Sequence, residues 1–530
     1  MITLSWVHAK LIIFFLNFMS STANRVIKNT GFLYAKMGIT MFISLYTTRL
    51  ILNSLGASDF GIFNIVGGAI AMLGFLNASM ASATQRFMSY CEGEGNKEKQ
   101  KSIFNVSFVL HLGISFVVGI ALLIAGYFFF NGILNIPDER IFAAKVVYGS
   151  LIVSTMFTVM TVPYDAAMNA HENMKYYAIV GVFESFLKLG VAFACVYTTF
   201  DKLIVYGALM ACIPLITLTI MRVYCHRHYD ECVIAPHRYW NKGLMKEMTS
   251  FAGWSFLGTS SSLIGNYGIG IVLNYFYGTL LNAAQGIANQ LNGLLMVFSN
   301  NMLKAVNPVI TKTEGAGERT QMIQASIVSS KFSYYMLAIF AIPCIIEMPY
   351  ILKLWLKEVP QWAVVFSQLQ LVRTLIEQIT ITFGTAIAAE GRIKHITQMS
   401  GIINLTPIVL IYILFKFGFS PVFMYFTNIT IFGFLLSGVR IYYMHSHCNM
   451  RYDMYIKEVL IPVIVVSMPT FAIGCSITDI MTESFVRLLL NVFICTASFL
   501  ILVYFWGISD QEKKMLLHFF RKIKSISTVK

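Results

Sequence analysis

The sequence predicts an all-α polytopic membrane protein of about 14 transmembrane helices, on three observations. Of its 530 residues, 57% are hydrophobic and only 12% charged, against roughly a quarter charged in a soluble domain. Charge-free runs that meet the ~20 apolar residues a bilayer-spanning helix needs recur along the whole length. No Pro/Gly/Ser-rich linker separates them, as a chain of two to four soluble domains would require. The net charge of +14 would suit a nucleic-acid partner, but in a membrane protein such an excess marks cytoplasmic loops, so location decides. The nine cysteines are odd in number, form no C-x-x-C pair and lie mostly inside or beside apolar runs, so no disulfide framework is expected.

Taken in order, residues 1–18 are apolar but short and interrupted by Lys10. They read as an amphipathic lead-in, or as sequence upstream of a true start at Met19, rather than as a signal peptide. Seven single spans without Asp, Glu, Lys or Arg follow: between Asp59 and Arg86, Lys101 and Asp138, Lys202 and Arg222, Lys394 and Lys416, Lys416 and Arg440, Glu458 and Asp479, and Arg487 and Asp510. The uncharged stretch from Met248 to Leu303 holds two more, with the Gly278-Thr279 turn as the break. Five spans carry an embedded charge: Gly31 to Leu52, Ile141 to Pro163, Ala178 to Thr199, Phe332 to Leu352 and Ala363 to Ala389. Gly, Pro, Asn and Asp punctuate many of their ends.

Orientation tests the count, because successive loops alternate sides. With both termini cytoplasmic, 28 Lys/Arg fall in the terminal segments and even-numbered loops, 8 fall outside, and 3 (Lys36, Lys188, Arg373) lie within spans. An internal repeat adds topology: Glu92-Gly93-Glu94-Gly95 echoes Glu314-Gly315-Ala316-Gly317 at an offset of 222, and Arg222-Val223-Tyr224 echoes Arg440-Ile441-Tyr442 at 218. Two six-helix lobes follow, parallel about an axis along the membrane normal because six is even. The expected division is a cytoplasmic or interfacial segment 1–30, an N-lobe 31–222, a basic cytoplasmic linker 223–250, a C-lobe 251–443, and an extra helix pair with a basic tail, 444–530.

Several local patterns resemble bacterial polysaccharide exporters of the Wzx type, in the multidrug/oligosaccharidyl-lipid/polysaccharide superfamily. They are Ser44-Leu45-Tyr46-Thr47-Thr48-Arg49, Leu55-Gly56, Asp59-Phe60-Gly61-Ile62-Phe63-Asn64, Val66-Gly67-Gly68, Ala83-Thr84-Gln85-Arg86-Phe87, and Tyr224-Cys225-His226-Arg227-His228-Tyr229 with Glu231-Cys232. The likeness spans roughly residues 24 to 510. It implies a MATE-like, V-shaped pair of bundles around a cavity that opens alternately to each side. It also implies a cargo, a polyprenyl-diphosphate-linked oligosaccharide flipped from the cytoplasmic to the outer leaflet of the bacterial inner membrane for O-antigen or capsule synthesis, with polysaccharide polymerase and chain-length machinery as partners.

An ionisable residue in a bilayer is costly unless it faces a cavity or a partner. Lys36 and Arg49 lie near opposite ends of the first span and Arg86 ends the second. With Lys188 and Arg373 they form a candidate set of cavity cations for an anionic cargo; the alternative is snorkelling to the interfaces or a purely topological charge. Glu184/Lys188 and Arg373/Glu377 are i,i+4 pairs on one helix face, either mutually neutralising or supplying Glu184 and Glu377 as proton-coupling carboxylates. Asn274, Gln285, Asn289 and Gln290, in the charge-free seventh and eighth spans, are candidate glycan contacts, against interhelical hydrogen bonding. Glu347 reads as a marker of an outer helix end.

The Cys225, His226, His228, Cys232, His237 cluster matches no zinc spacing, so it reads as a basic loop, and no metal or cofactor is expected; H⁺ or Na⁺ would couple transport. No phosphate-binding Gly loop, G-x-S-x-G or zincin motif is present. A transporter is therefore expected rather than a polymerase or ligase. The remaining rival is an ion-coupled multidrug/cation antiporter of the same superfamily.

Overall fold

A computed structural model describes residues 2–71, 74–133, 136–356, 359–391, 393–510 and 512–513. The basic tail beyond residue 513 lies outside the described residues. These are helical almost throughout, with no strand among them. Helix covers the described residues of the expected spans, but among the described residues ten helices are long and apolar enough to cross a membrane, so the count of fourteen is not reproduced on that criterion. The tenth expected span is broken at Thr380 into Ala363–Gln378 and Ile381–Glu390, each too short alone. The eighth, 279–315, is diluted by its amides.

Local chemistry sets the ends. Asn96, Asn173, Asp201, Asn241 and Ser484 each cap a helix by accepting from a backbone N–H in the first turn, which satisfies donors a helix N-terminus otherwise leaves orphaned. The expected break at Gly278 is a residue with φ 76° and ψ −172° inside the helical run Lys242–Gly315. Gly56 does the same in Ile2–Ala71, with φ 79° and ψ 167°. The two lie 222 positions apart, the offset of the E-G-x-G repeat, so the repeat extends to backbone conformations open to glycine and strained for other residues.

The chain forms two compact units. One comprises residues 32–260 with 311–318; the other, 1–31, 261–310 and 319–530. In the first, Ile62, Val66, Val118, Leu122, Val147 and Tyr148 form one buried cluster, and Ile51, Ala192, Cys195 and Ile213 another. Residues 223–250 are part of this unit. In the second, one large core runs from Ile269 to Phe499 and includes Tyr335, Val463 and Val466.

The extra helix pair, within Tyr452–Ile480 and Phe485–Gly507, is tied into the second unit along its length. Near one end the buried carboxylate of Glu347 accepts from Arg487 Nη2 and Asn491 Nδ2, both at 2.9 Å. Glu347 lies between the helices Arg319–Ile346 and Met348–Trp355, so it marks a helix end as expected and is a buried anchor as well. Tyr334 Oη and Ser467 Oγ are bonded at 2.8 Å, Tyr335 Oη donates to the Gly507 carbonyl at 3.0 Å, and Lys331 pairs with Glu512 at 2.8 Å.

Candidate functional site

Within the first unit, Lys36 is half-buried, its Nζ 4.2 Å above the Tyr177 ring. Gly181 makes room for it, since a Cβ there would overlap the lysine side chain. One helical turn on from Gly181, Glu184 pairs with Lys188 at 2.7 Å, both partly exposed. Arg49 is exposed. The Arg86 guanidinium lies within 4.7–5.5 Å of the ring centroids of Phe87, Tyr90 and Phe251, an aromatic cradle that lowers the cost of desolvating it.

Within the second unit, Arg373 Nε donates to Glu377 Oε1 at 2.6 Å and the guanidinium stacks 4.2 Å from the Phe432 centroid. Arg440 lies within electrostatic reach of Glu377, and its buried Nη1 has no hydrogen-bond partner among the described residues. Glu377 is thus paired with Arg373 and within electrostatic reach of Arg440.

The amides divide. Asn274 and Gln285 are half-buried, while Asn289 and Gln290 are exposed. Polar residues outside the four candidate amides hold the interior: Thr374 Oγ1 donates to Asn292 Oδ1 at 2.7 Å, and the hydroxyls of Ser299 and Ser333 reach Gln378 Oε1 at 2.7 and 2.6 Å. Gln370, Thr374 and Gln378 recur at i+4, which is the sequence signal that would have revealed this stripe.

Charges also gather at both ends of the first unit, each time from loops that the alternation assigns to one side. At one end Arg140 donates to Asp59 Oδ1 at 2.8 Å and Asp201 Oδ2 at 2.6 Å. At the other end, the Tyr224–Cys232 motif closes over the turn at His171–Asn173. Asn173 Nδ2 donates to the hydroxyls of Tyr224 (2.7 Å) and Tyr229 (3.0 Å), and His171 stacks on Tyr229 at 4.2 Å. His171 Nε2 lies 2.5 Å from Glu231 Oε1, and Nδ1 lies 3.4 Å from Glu92 Oε1.

Glu92 also meets Lys97 (3.3 Å), Lys312 (3.6 Å) and Gln100 Nε2 (2.8 Å). Burial opposes ionisation of both Glu92 and Glu231. For Glu92 the Gln100 hydrogen bond and the charges of His171, Lys312 and Lys97 outweigh it; for Glu231 the His171 bond and charge lead. Both carboxyls end below the usual range.

Residues 34–194 match the model of the MatE family. No curated protein matches the chain. Among solved structures, a MATE protein in complex with MaD3S aligns at 15% identity and a TM-score of 0.67, covering 81% of this chain and 96% of that one. The fold is that of the MATE transporters. An outward-facing multidrug resistance MATE family transporter of the MOP superfamily aligns at 16% identity and 0.65, over 81% of this chain and 96% of its own. A MOP superfamily transporter from Pyrococcus furiosus, described as having a binding pocket of reverse polarity that suggests a different function, aligns at 16% and 0.65, over 82% and 97%.

Proposed function

We propose that the chain is a secondary transporter of the MATE fold that moves its cargo by alternating access. The observation that carries this reading is the alignment over 81% of this chain and 96% of a MATE protein, together with the MatE match at residues 34–194. We place it in the bacterial inner membrane with both termini cytoplasmic, on the distribution of Lys and Arg, and couple it to H⁺ or Na⁺. The structural neighbours include a multidrug resistance transporter, which favours an ion-coupled multidrug antiporter over a lipid-linked oligosaccharide flippase.

One observation supports the flippase as the second reading. Around Glu377 the charge is positive on balance, with Arg373 paired to it and Arg440 within electrostatic reach, while Lys36 over the Tyr177 ring has Asp165 and Glu184 nearby. Cations at such sites repel a cationic drug and attract a diphosphate.

A deletion strain separates the two. New sensitivity to cationic drugs with intact surface glycan supports the antiporter. Loss of surface glycan, with the complete repeat unit accumulating on its polyprenyl carrier at the cytoplasmic face, supports the flippase. A strain unchanged in both sinks both.

A further inference from the structure

The E-G-x-G repeat, which the proposed transport does not use, meets itself in the fold. A Cβ on Gly93 would overlap the carbonyl of Lys312, and a Cβ on Gly315 would overlap the carbonyl of Tyr90. Gly93 and Gly315 stand at equivalent places in the two repeats, 222 positions apart, so two helix ends cross backbone on backbone at a pair of related glycines. Two positions on, Gly95 and Gly317 both have positive φ, at 71° and 76°, and end their helices alike. Residues 311–318 belong to the first unit, while 279–310 of the same helix belong to the second.

The crossing is fastened by charge. Lys312 on one strut reaches Glu92 Oε1 at 3.6 Å and Glu172 Oε1 at 3.8 Å. Behind these carboxylates sits His171, with a carboxylate oxygen facing each ring nitrogen. A ring protonated at both nitrogens satisfies both. A neutral ring donates to one and turns a lone pair towards the other. Glu231 cannot turn away to water, because its side chain is fully buried.

The ring meets Glu92, Glu231 and the stacked Tyr229; Lys97, Lys312 and Gln100 meet those carboxylates, and Lys312 also meets Glu172. Three carboxylates against two lysines leave one negative charge, which a proton on His171 cancels.

We propose that this cluster is a proton-binding latch. With its proton, His171 bridges Glu92 and Glu231, and Glu92 holds Lys312 so that residues 311–318 stay clamped on the Gly93 end. Without it, acceptor faces acceptor, the Glu92 carboxylate swings out and the crossing parts. Closing takes up one proton and opening releases it on the face that the charge distribution assigns to the cytoplasm. This is a coupling site outside the membrane-embedded carboxylates. The inference rests on the transporter reading, in which the inner ends part once in each cycle.

Two native thiols report the latch. Cys91 and Cys232, each adjacent in sequence to a latch carboxylate, are buried, and burial, with the neighbouring Glu94 charge, pushes the Cys91 thiol up to about 12. The full chain is reconstituted in lipid nanodiscs and alkylated with N-ethylmaleimide from pH 6 to 8.5. Modification of the two cysteines is quantified by mass spectrometry and divided by the rate in the denatured chain at the same pH, which removes the thiol's own titration.

We expect the normalised rate to rise by about tenfold per pH unit over a single-proton step, and to be high and flat in His171→Gln. A flat wild-type profile overturns the latch, as does a step that persists in His171→Gln. The wild-type profile decides even where the variant does not fold. Labelling needs no cargo, so a deletion strain with no transport phenotype removes the transporter reading without altering this result.

Discussion

The two units carry the same repeat but spend their charge differently. In the unit of residues 32–260 and 311–318, the strongest charge networks sit at the ends: Arg140 on Asp59 and Asp201, and His171 among Glu92, Glu172, Glu231, Lys97 and Lys312. In the other unit the most buried charges are simple pairs, Glu347 with Arg487 and Lys331 with Glu512, with Arg373 on Glu377 less enclosed. A buried pair contributes little net stability but is costly to break singly. In a network of several partners, members that keep partial access to water, as Glu92, His171 and Lys312 do, can exchange partners at low cost. The first arrangement suits parts that open and close, the second suits parts that stay together.

The largest expected effect tests the first half of that contrast. Gly93→Val or Gly315→Val drives a side chain into backbone, so the crossing cannot form. The normalised Cys91 labelling is expected at its open-state maximum at every pH. Wild-type protection in either variant would break the comparison. Next comes Glu347→Leu, which strands the Arg487 guanidinium. We expect a loss of roughly 3–5 kcal/mol by thermal unfolding in detergent, with most of it restored in Glu347→Leu/Arg487→Leu. No recovery in the double variant would mean that the pair contributes through its own attraction.

A smaller effect separates the cargo readings. If the cargo is anionic, Lys36→Ala and Arg373→Ala each reduce export several-fold at unchanged protein level. If it is a cationic drug, Lys36→Ala leaves efflux equal or improved. Acid provides the next test. Because Glu92 and Glu231 titrate below their ordinary value of 4.5 in the folded chain, they contribute stability that is present above that value and lost as pH falls through their lowered range. Protection of Cys91 is therefore expected to weaken below about pH 4.5, and Glu231→Gln is expected to blunt that loss. The smallest effect is expected from Lys188→Ala. Its pair with Glu184 is partly exposed, with side chains 44% and 35% accessible, so we expect a change under about 1 kcal/mol.

Much of this was legible in the chain. The helices, the break at Gly278, the Asn and Asp caps, the E-G-x-G repeat and both i,i+4 pairs follow from composition, turn chemistry and helical period. Those depend on residues a few positions apart. The candidate cations were legible as charges in apolar sequence, but not by their surroundings. Nothing near Lys36 in sequence indicates that it rests on Tyr177, and nothing near Arg440 indicates that it comes within electrostatic reach of Glu377.

The sequence by itself determined the order of the apolar segments, the repeat and the side of the membrane each loop is expected to face. An apolar run and a Lys/Arg excess act through the bilayer, whatever the partner. Only the tertiary structure decided which charges meet: His171 finds Glu231 60 positions away, Glu347 finds Arg487 140 positions away, and Lys331 finds Glu512 181 positions away. Those pairings come from helix packing and from the small residues that let backbones approach, and a charge buried by that packing takes the partner the packing brings within reach.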